Sequence, residues 1–324
     1  MTNKILFIID KLELKYFEYN KLVTDFWLIK EFLDRKEEVY ISTIDKLGLE
    51  KTKPYCNCAK AYSEKNEIFY DKNFEKKFIN DFNMLLFRPD PPVDLDYINA
   101  TYILDFADKE KTLFLNDTKA IRNFNEKLHT DLFYDLMPEN IVTASKSEIQ
   151  EFLEIHKELI LKPLNNCFGS GVMYLKQGDK NTTSIIKTMT NNETKVIMVQ
   201  KYIPLAENGD KRVLMLNGEV YDECVMKLPT KDDFKFNNHS MDYIKKAVLT
   251  KTEKEKFTPV AKKLHEMGLT CAGLDVIDEK IIEINITSPC FFINEINTYF
   301  SINLEKRIVD TLQLMLKEKT KLKI

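Results

Sequence analysis

Gly273-Leu274-Asp275-Val276-Ile277-Asp278-Glu279-Lys280-Ile281-Ile282-Glu283-Ile284-Asn285 is the stretch on which the fold turns. Two apolar runs flank the polar Asp278-Glu279-Lys280, the pattern of a β-hairpin with a three-residue loop. In that register Ile277 opposes Ile281, and Asp275 falls opposite Glu283. The two-residue period puts Glu283 and Asn285 on one face and sends Ile282, Ile284 and Ile286 into a core on the other. Carboxylates facing each other across a strand pair repel, so something cationic must compensate. Converging Asp, Glu and Asn oxygens are hard ligands, of the type Mg²⁺ takes together with phosphate oxygens and water. The alternative is a solvated acidic face with no metal. Basic residues and glycines upstream, which would complete a nucleotide site, favour the metal.

Working back from the hairpin, Val213–Leu216, Asn217-Gly218 and Glu219–Met226 form a second hairpin, with Asn-Gly as its type I′ turn. Leu159–Leu161 reads as a strand entering a loop that contains Gly169 and Gly171, a device that brings backbone N–H groups close to phosphates. Val196–Val199 is a further strand. Ser145 followed by Glu148 forms a capping box for a helix, and Asn125-Glu126-Lys127 is expected within another. The first third alternates strands (Ile5–Ile9, Val39–Ile41, Met84–Phe87, Thr112–Leu115) with helical spacing at Leu22, Phe26, Ile29 and Leu33, which predicts a parallel sheet covered by helices. Residues 50–80 are polar and are expected to be a peripheral excursion. Residues 303–324 read as a last amphipathic helix.

The bulk properties narrow the function classes. The chain has 324 residues, enough for two or three packed subdomains, and a formal net charge of -3, without the basic excess of a nucleic-acid binder. Its N-terminal apolar run is too short for a signal-peptide core, and no uncharged segment approaches bilayer length, so a cytoplasmic protein that neither spans nor enters a membrane is expected. Six cysteines without metal or redox spacing are expected to be free and mostly buried.

The hairpin also carries a family likeness. Glu283-Ile284-Asn285-Ile286-Thr287-Ser288-Pro289 resembles the E-I-N-V-T-S-P signature of bacterial glutathione synthetases. Gly273-Leu274-Asp275, Arg88 with Asp90-Pro91-Pro92, Ala100–Leu104, Asn125–Leu128, Ile160–Leu164 and Gly209–Leu214 match further motifs in the family's order. The likeness covers about residues 82–310 well and the first 80 in outline. It implies an ATP-grasp fold, mixed α/β and α+β, with an N-terminal parallel-sheet domain over 1–120. A lid subdomain would span 121–200, and a subdomain carrying the metal site 201–324. The activity implied is ATP-dependent ligation of a carboxylate to an amine through an acyl phosphate.

By the same resemblance Lys127 and Lys162 would contact phosphates or the adenine edge, with Gly169 and Gly171 in the phosphate loop. Gln200, Lys201, Tyr202 and Ile203 would read the adenine, and Asp210 would lie near the ribose. Asp275, Glu283 and Asn285 would hold two Mg²⁺ ions, with Mn²⁺ as a possible substitute. Arg212 would balance charge in the reaction, and Arg88, Lys235, Asn237 and Ser288 would hold substrate. For Arg88 a salt bridge to Asp90 or Asp94 is the alternative. A homo-oligomer is possible, with Phe291-Phe292 one candidate surface, although buried packing suits that pair better.

Departures from the family pattern cluster away from the metal ligands. Phe168 replaces a glycine in the phosphate loop, and the loop 227–250 has no glycine, with Lys235 and Tyr243 where arginines are expected. A lysine-Asp-Ser-Ser stretch becomes Lys21-Leu22-Val23-Thr24-Asp25. Three readings follow: glutathione synthesis from γ-glutamylcysteine, glycine and ATP; a sister ligase for another small acid and amine; and a non-catalytic nucleotide-binding regulator. The retained Asp275, Glu283, Asn285 and Arg212 count against the last.

Overall fold

The structure, a computed structural model, describes residues 2–11, 23–65, 67–167, 169–230, 236 and 241–321. Three sheets organise it. The first has a parallel heart, in which Lys4–Ile8 lies between Glu38–Ser42 and Met84–Phe87, with Leu113–Leu115 beyond the latter. These are the four parallel strands expected from the sequence. Their near-continuous apolar character suits strands covered on both faces. Ile5, Phe7 and Ile9 enter one core cluster, while Leu6 and Ile8 enter another.

Residues 50–80 are not a detached excursion. The 12-residue strand Lys53–Glu64 pairs antiparallel with Glu38–Ser42, Leu47–Glu50, Glu67–Tyr70 and Glu75–Phe78, extending the same sheet. Cys56 and Cys58 share one face of this strand by the two-residue period and pack into the core with Tyr40 and Phe82. All six cysteines are free, and Cys56, Cys58, Cys224 and Cys271 are buried.

The second sheet is antiparallel, in the order Met173–Lys176, Glu158–Pro163, Ile197–Lys201, Asn140–Thr143. Helices Lys146–His156 and Thr182–Met189 close a small core of its own. Ser145 caps the first of these helices, but Glu148 bonds Thr143 rather than closing the box. Asn125–Lys127 is a turn, not a helix. The Asn125 side chain accepts from the amides of Lys127 and Leu128 and so starts the 3₁₀ segment Leu128–Leu136.

The third sheet runs Ile244–Val248, Glu223–Lys227, Asp210–Leu216, Cys271–Ile277, Lys280–Asn285, with Glu219–Val220 hairpinned onto Asp210–Leu216 through Asn217-Gly218. Asn116 ties it to the first sheet by donating to the carbonyls of Cys271 (2.7 Å) and Ile286 (2.8 Å). Helices Lys251–Glu266, Ile293–Phe300 and Leu304–Lys321 pack around it. The deciding hairpin differs in one detail. Its loop has two residues, Asp278 and Glu279, both at positive φ as a type I′ turn requires, so Ile277 pairs with Lys280 and Val276 with Ile281. A bulge at Ile282 then restores Asp275 opposite Glu283. Ile281 therefore replaces Ile282 in the core beside Ile284 and Ile286, and Ile282 faces a cavity.

Candidate active site

That cavity, about 430 Å³, lies between the second and third sheets and is bounded by the turns at 90–91 and 287–292. Its floor is a cross-strand row. Arg212 pairs in register with Asp275, and Asp275 with Glu283, so three charged side chains project from neighbouring strands on one face. Arg212 reaches Asp275 at 2.6 Å and Asp210 at 2.8 Å, and the Asn285 amide donates to Asp275 at 2.8 Å. Burial opposes the Arg212 charge, but Asp210, Asp275 and Glu283 outweigh it and hold the guanidinium firmly protonated. Asp210 is fully buried beneath Arg212, with its other oxygen accepting from the Val276 amide at 3.1 Å. It lines the cavity as a counter-ion to that arginine.

The opposite wall supplies cations. Lys127 bonds Glu283 at 2.7 Å and the Asn166 carbonyl at 2.7 Å. Burial works against the Glu283 charge, yet Lys127 and Lys162 hold its pKa below the usual value. Lys162 donates to the Ile282 carbonyl at 3.1 Å, and burial pushes its pKa down to about 8 despite Glu283 nearby. The sequence-derived metal ligands thus come together, Asp275 paired with Arg212 and the Asn285 amide, and Glu283 with Lys127. Among the described residues no three His, Cys, Asp or Glu side chains form a ready cluster. Two carboxylates and one amide suit a hard divalent ion that completes its shell from phosphate oxygens and water.

Gly169 lines the cavity; Gly171 does not. At φ +74° with its missing Cβ position 3.0 Å from Pro163, Gly171 serves the turn itself. At the far end Gln200, Lys201, Tyr202 and Ile203 line the wall. The Gln200 amide nitrogen is buried with no partner among the described residues. Lys201 is half exposed and pairs with Glu139, and Tyr202 packs edge-on against Tyr174.

Ser288 lines the cavity and bonds Asp90. Arg88 does not reach the cavity wall. It is buried behind it, paired with Asp25, donating to the Pro289 carbonyl at 3.0 Å and lying over the Phe291 ring. The salt-bridge alternative for Arg88 therefore holds, with Asp25 as partner rather than Asp90 or Asp94. Thr24 reinforces this tie by accepting from the Phe291 amide. Lys235 and Asn237 lie outside the described residues, as do Phe168, Lys21 and Leu22. Tyr243 closes a short 3₁₀ turn and does not line the cavity. Phe291 and Phe292 are buried against it and offer no outer surface.

Three cavity residues were missed in sequence. Glu126 is half-buried, and one oxygen accepts from the amides of Ile286 and Thr287 and from the Thr287 hydroxyl. Lys227 is buried near Asp210 and Arg212, and desolvation lowers its pKa to about 8. Asp90 faces the cavity, and burial raises its pKa. For Glu126 and Asp90 a signal existed, since both sit inside motifs quoted for their basic neighbours. Lys227 ends a strand whose alternation could have put it on Arg212's face.

Comparison with known proteins agrees with this arrangement. Residues 4–122 match the family model "prokaryotic glutathione synthetase, N-terminal domain", and residues 126–301 match "prokaryotic glutathione synthetase, ATP-grasp domain". A glutathione synthetase of Vibrio cholerae is 38% identical over 239 residues, covering 74% of this chain and 75% of that protein. One from Vibrio parahaemolyticus is 33% identical over 296 residues, covering 91% and 93%. In fold the chain is similar to D-cycloserine synthetase DcsG, with a TM-score of 0.69 at 12% identity over 97% of this chain and 99% of the other. It is also similar to a D-alanyl-alanine synthetase A from Vibrio cholerae, with a TM-score of 0.60 at 12% identity over 98% and 100%. The chain belongs to the prokaryotic glutathione synthetase family, ATP-grasp enzymes that form a C–N bond at the expense of ATP with a divalent metal.

Proposed function

We propose that this cavity binds ATP and joins the carboxylate of γ-glutamylcysteine to the amine of glycine. The observation that carries the reading is the row Arg212–Asp275–Glu283 closed from above by Lys127 and Lys162. A carboxylate is a poor electrophile, and attack on the γ-phosphate converts it to an acyl phosphate that an amine can displace. In that step Arg212, fixed from below by Asp210, faces the charge that grows on the transferring phosphoryl group and then on the tetrahedral adduct. Lys127 and Lys162 turn from Glu283 and a backbone carbonyl to the phosphates, with the Gly169 loop alongside. Gln200 offers its unpartnered amide to the adenine edge, beside Lys201, Tyr202 and Ile203. Lys227 faces the substrate carboxyl from the strand end. Asp275, Glu283 and Asn285 would hold two Mg²⁺ ions, or Mn²⁺ in their place, which neutralise phosphate charge when bound.

Among the described residues no helix is long and apolar enough to cross a membrane. We place the enzyme in the cytoplasm, where its free thiols suit a reducing medium. Self-association into a homo-oligomer is supported by Leu95, Tyr102 and Phe106, exposed along one side of Leu95–Leu104 and its extension. Phosphate release from ATP, measured with a panel of acids and amines, tests the substrate assignment. Release that requires γ-glutamylcysteine and glycine together supports it; release with a different pair alone refutes it.

A further inference from the structure

The ligation has a requirement that the groups named above do not meet. Glycine arrives as an ammonium ion, and its nitrogen cannot attack until a proton is removed. Among the described residues five carboxylates line the cavity: Asp90, Glu126, Asp210, Asp275 and Glu283. Asp210 and Asp275 are held by Arg212, and Glu283 by Lys127. Glu126 is spent on the Ile286 and Thr287 amides and the Thr287 hydroxyl. Asp90 differs from all four. Its hydrogen-bond partner is the neutral Ser288 hydroxyl, through Oδ1, and no described cation lies within salt-bridge distance of it.

Its position suits the task. Asp90 and Pro91 form the cavity wall between two turns that face each other. On one side is Ser288, in the turn that follows the metal ligands. On the other is Cys167, in the phosphate loop, whose thiol donates to the Pro91 carbonyl at 3.2 Å. On the ligase reading the reacting carbonyl would lie between those two turns, and a carboxylate there would stand beside it. The groups that set its charge are Asp10, Asp25 and Arg88 on the first sheet and its adjoining helix, with the Tyr97 phenol and the Cys167 thiol also close. Burial with two acidic neighbours raises its basicity above that of an exposed aspartate, and Ser288 partly offsets this.

We propose that Asp90 is the general base that deprotonates the acceptor amine. This rests on the ligase reading of the same cavity. One ammonium proton passes to Asp90 Oδ2, and the freed lone pair attacks the acyl carbon. The new C–N bond forms as the C–O bond to phosphorus breaks. Phosphate leaves with that electron pair and takes the second nitrogen-borne proton, departing as hydrogen phosphate. Asp90 then returns its proton to solvent.

Hydroxylamine separates the base from the rest of the chemistry, because it is an uncharged nucleophile at neutral pH. The wild type and Asp90→Asn are given ATP and γ-glutamylcysteine with either glycine or hydroxylamine, and peptide or hydroxamate is measured. Binding of a fluorescent ADP verifies that the variant folds. Asp90→Asn is expected to lose about a hundredfold or more with glycine while keeping hydroxamate formation within about twofold. Equal loss with both nucleophiles, or no loss with glycine, overturns the role. Ser288→Ala gives an independent reading. Without its hydroxyl donor the Asp90 carboxylate becomes more basic, so the acid limb of the glycine-dependent rate moves to higher pH, whatever the variant does to the overall rate. An unmoved limb overturns the proposal. A wild type that makes neither peptide nor hydroxamate from γ-glutamylcysteine refutes the substrate reading itself, and the base with it.

Discussion

Glu126 offers the sharpest test of how the floor of the cavity is held. The side chain is half-buried, and a single oxygen accepts from the amides of the buried Ile286 at 2.7 Å and Thr287 at 3.0 Å and from the Thr287 hydroxyl at 2.9 Å. Its own backbone carbonyl receives the Ile284 amide at 3.1 Å. Burial raises the Glu126 pKa, with Glu283 adding to the rise, so the charge itself is not what the site needs. What it needs is an acceptor. Glu126→Ala strands two buried amides and a hydroxyl, each costing about 1–3 kcal/mol, and relief of a buried charge returns part of that. A net loss of about 4 kcal/mol is expected. Glu126→Gln keeps an acceptor oxygen; the weaker neutral bond and the removed desolvation cost oppose each other, leaving a change within about 1 kcal/mol. For a chain of 324 residues melting as one unit, unfolding entropy is about 0.7 kcal/mol per degree. Alanine should therefore lower Tm by about 6 °C and glutamine by less than about 2 °C in calorimetry of the nucleotide-free protein at pH 7. Equal losses for the two variants, or an alanine loss under about 2 °C, would refute the clamp.

Four further outcomes follow from the same geometry. Glu283→Gln removes a ligand and the partner of Lys127, so turnover should fall below about one part in a hundred with a weakened Mg²⁺ dependence; unchanged activity would sink the metal assignment. Lys162 and Lys227 have pKa values lowered to about 8 by burial, and a polyphosphate raises them. Nucleotide binding near pH 8.5 should then take up protons, seen as a buffer-dependent heat in titration calorimetry, and its absence would contradict the assignment. The same depressed values disfavour the charged lysines in the folded state. That penalty is complete below about pH 8 and is relieved toward the unfolded pKa near 10.5, so nucleotide-free stability from these groups should rise across that window; falling stability there would reverse the sign argued. Gly209→Ala places a Cβ 2.7 Å from the Lys227 carbonyl at a φ of +115° beside Asp210, and should cost about 1–3 kcal/mol. A neutral substitution would show that this turn can shift.

The parallel strands and both hairpins were legible because burial on both faces demands unbroken apolar runs and because Asn-Gly and Asp-Glu turns announce themselves. The bulge at Ile282 was not, since a two-residue loop plus one extra residue and a three-residue loop write the same sequence. Residues 53–64 looked peripheral because their polar face outnumbers the buried one, though Cys56 and Cys58 mark the hidden side. At the site, the residues that carry charge toward a ligand stood out by type. Those that hold other residues did not. The ion pairs of Asp210 with Arg212 and of Arg88 with Asp25 were not legible, because a sequence shows that a charge exists and not which opposite charge folds onto it. Asp25, the partner of Arg88, lies 63 positions away.

The nucleotide-free site is balanced against itself, and that balance explains how it can be both buried and ready. Asp275 and Glu283 are dressed by Arg212 and Lys127, so no carboxylate of the row is left as an uncompensated buried charge, which would cost several kcal/mol. A fully ionised triphosphate and the two divalent cations proposed above carry equal and opposite charge, so their arrival would leave the net charge of the cavity unaltered. What changes is partnership. Lys127 would pass from Glu283 to a phosphate, and Glu283 would be free to hold a metal, so that each pair broken would be replaced by a pair of the same kind. Metal without nucleotide would have to displace Lys127 and Arg212 with nothing for them to bind. Nucleotide without metal would meet Asp275 and Glu283 directly. The row therefore favours the two together. This exchange also leaves Asp90, which stands outside the ladder of pairs, as the carboxylate still able to accept a proton when the amine arrives.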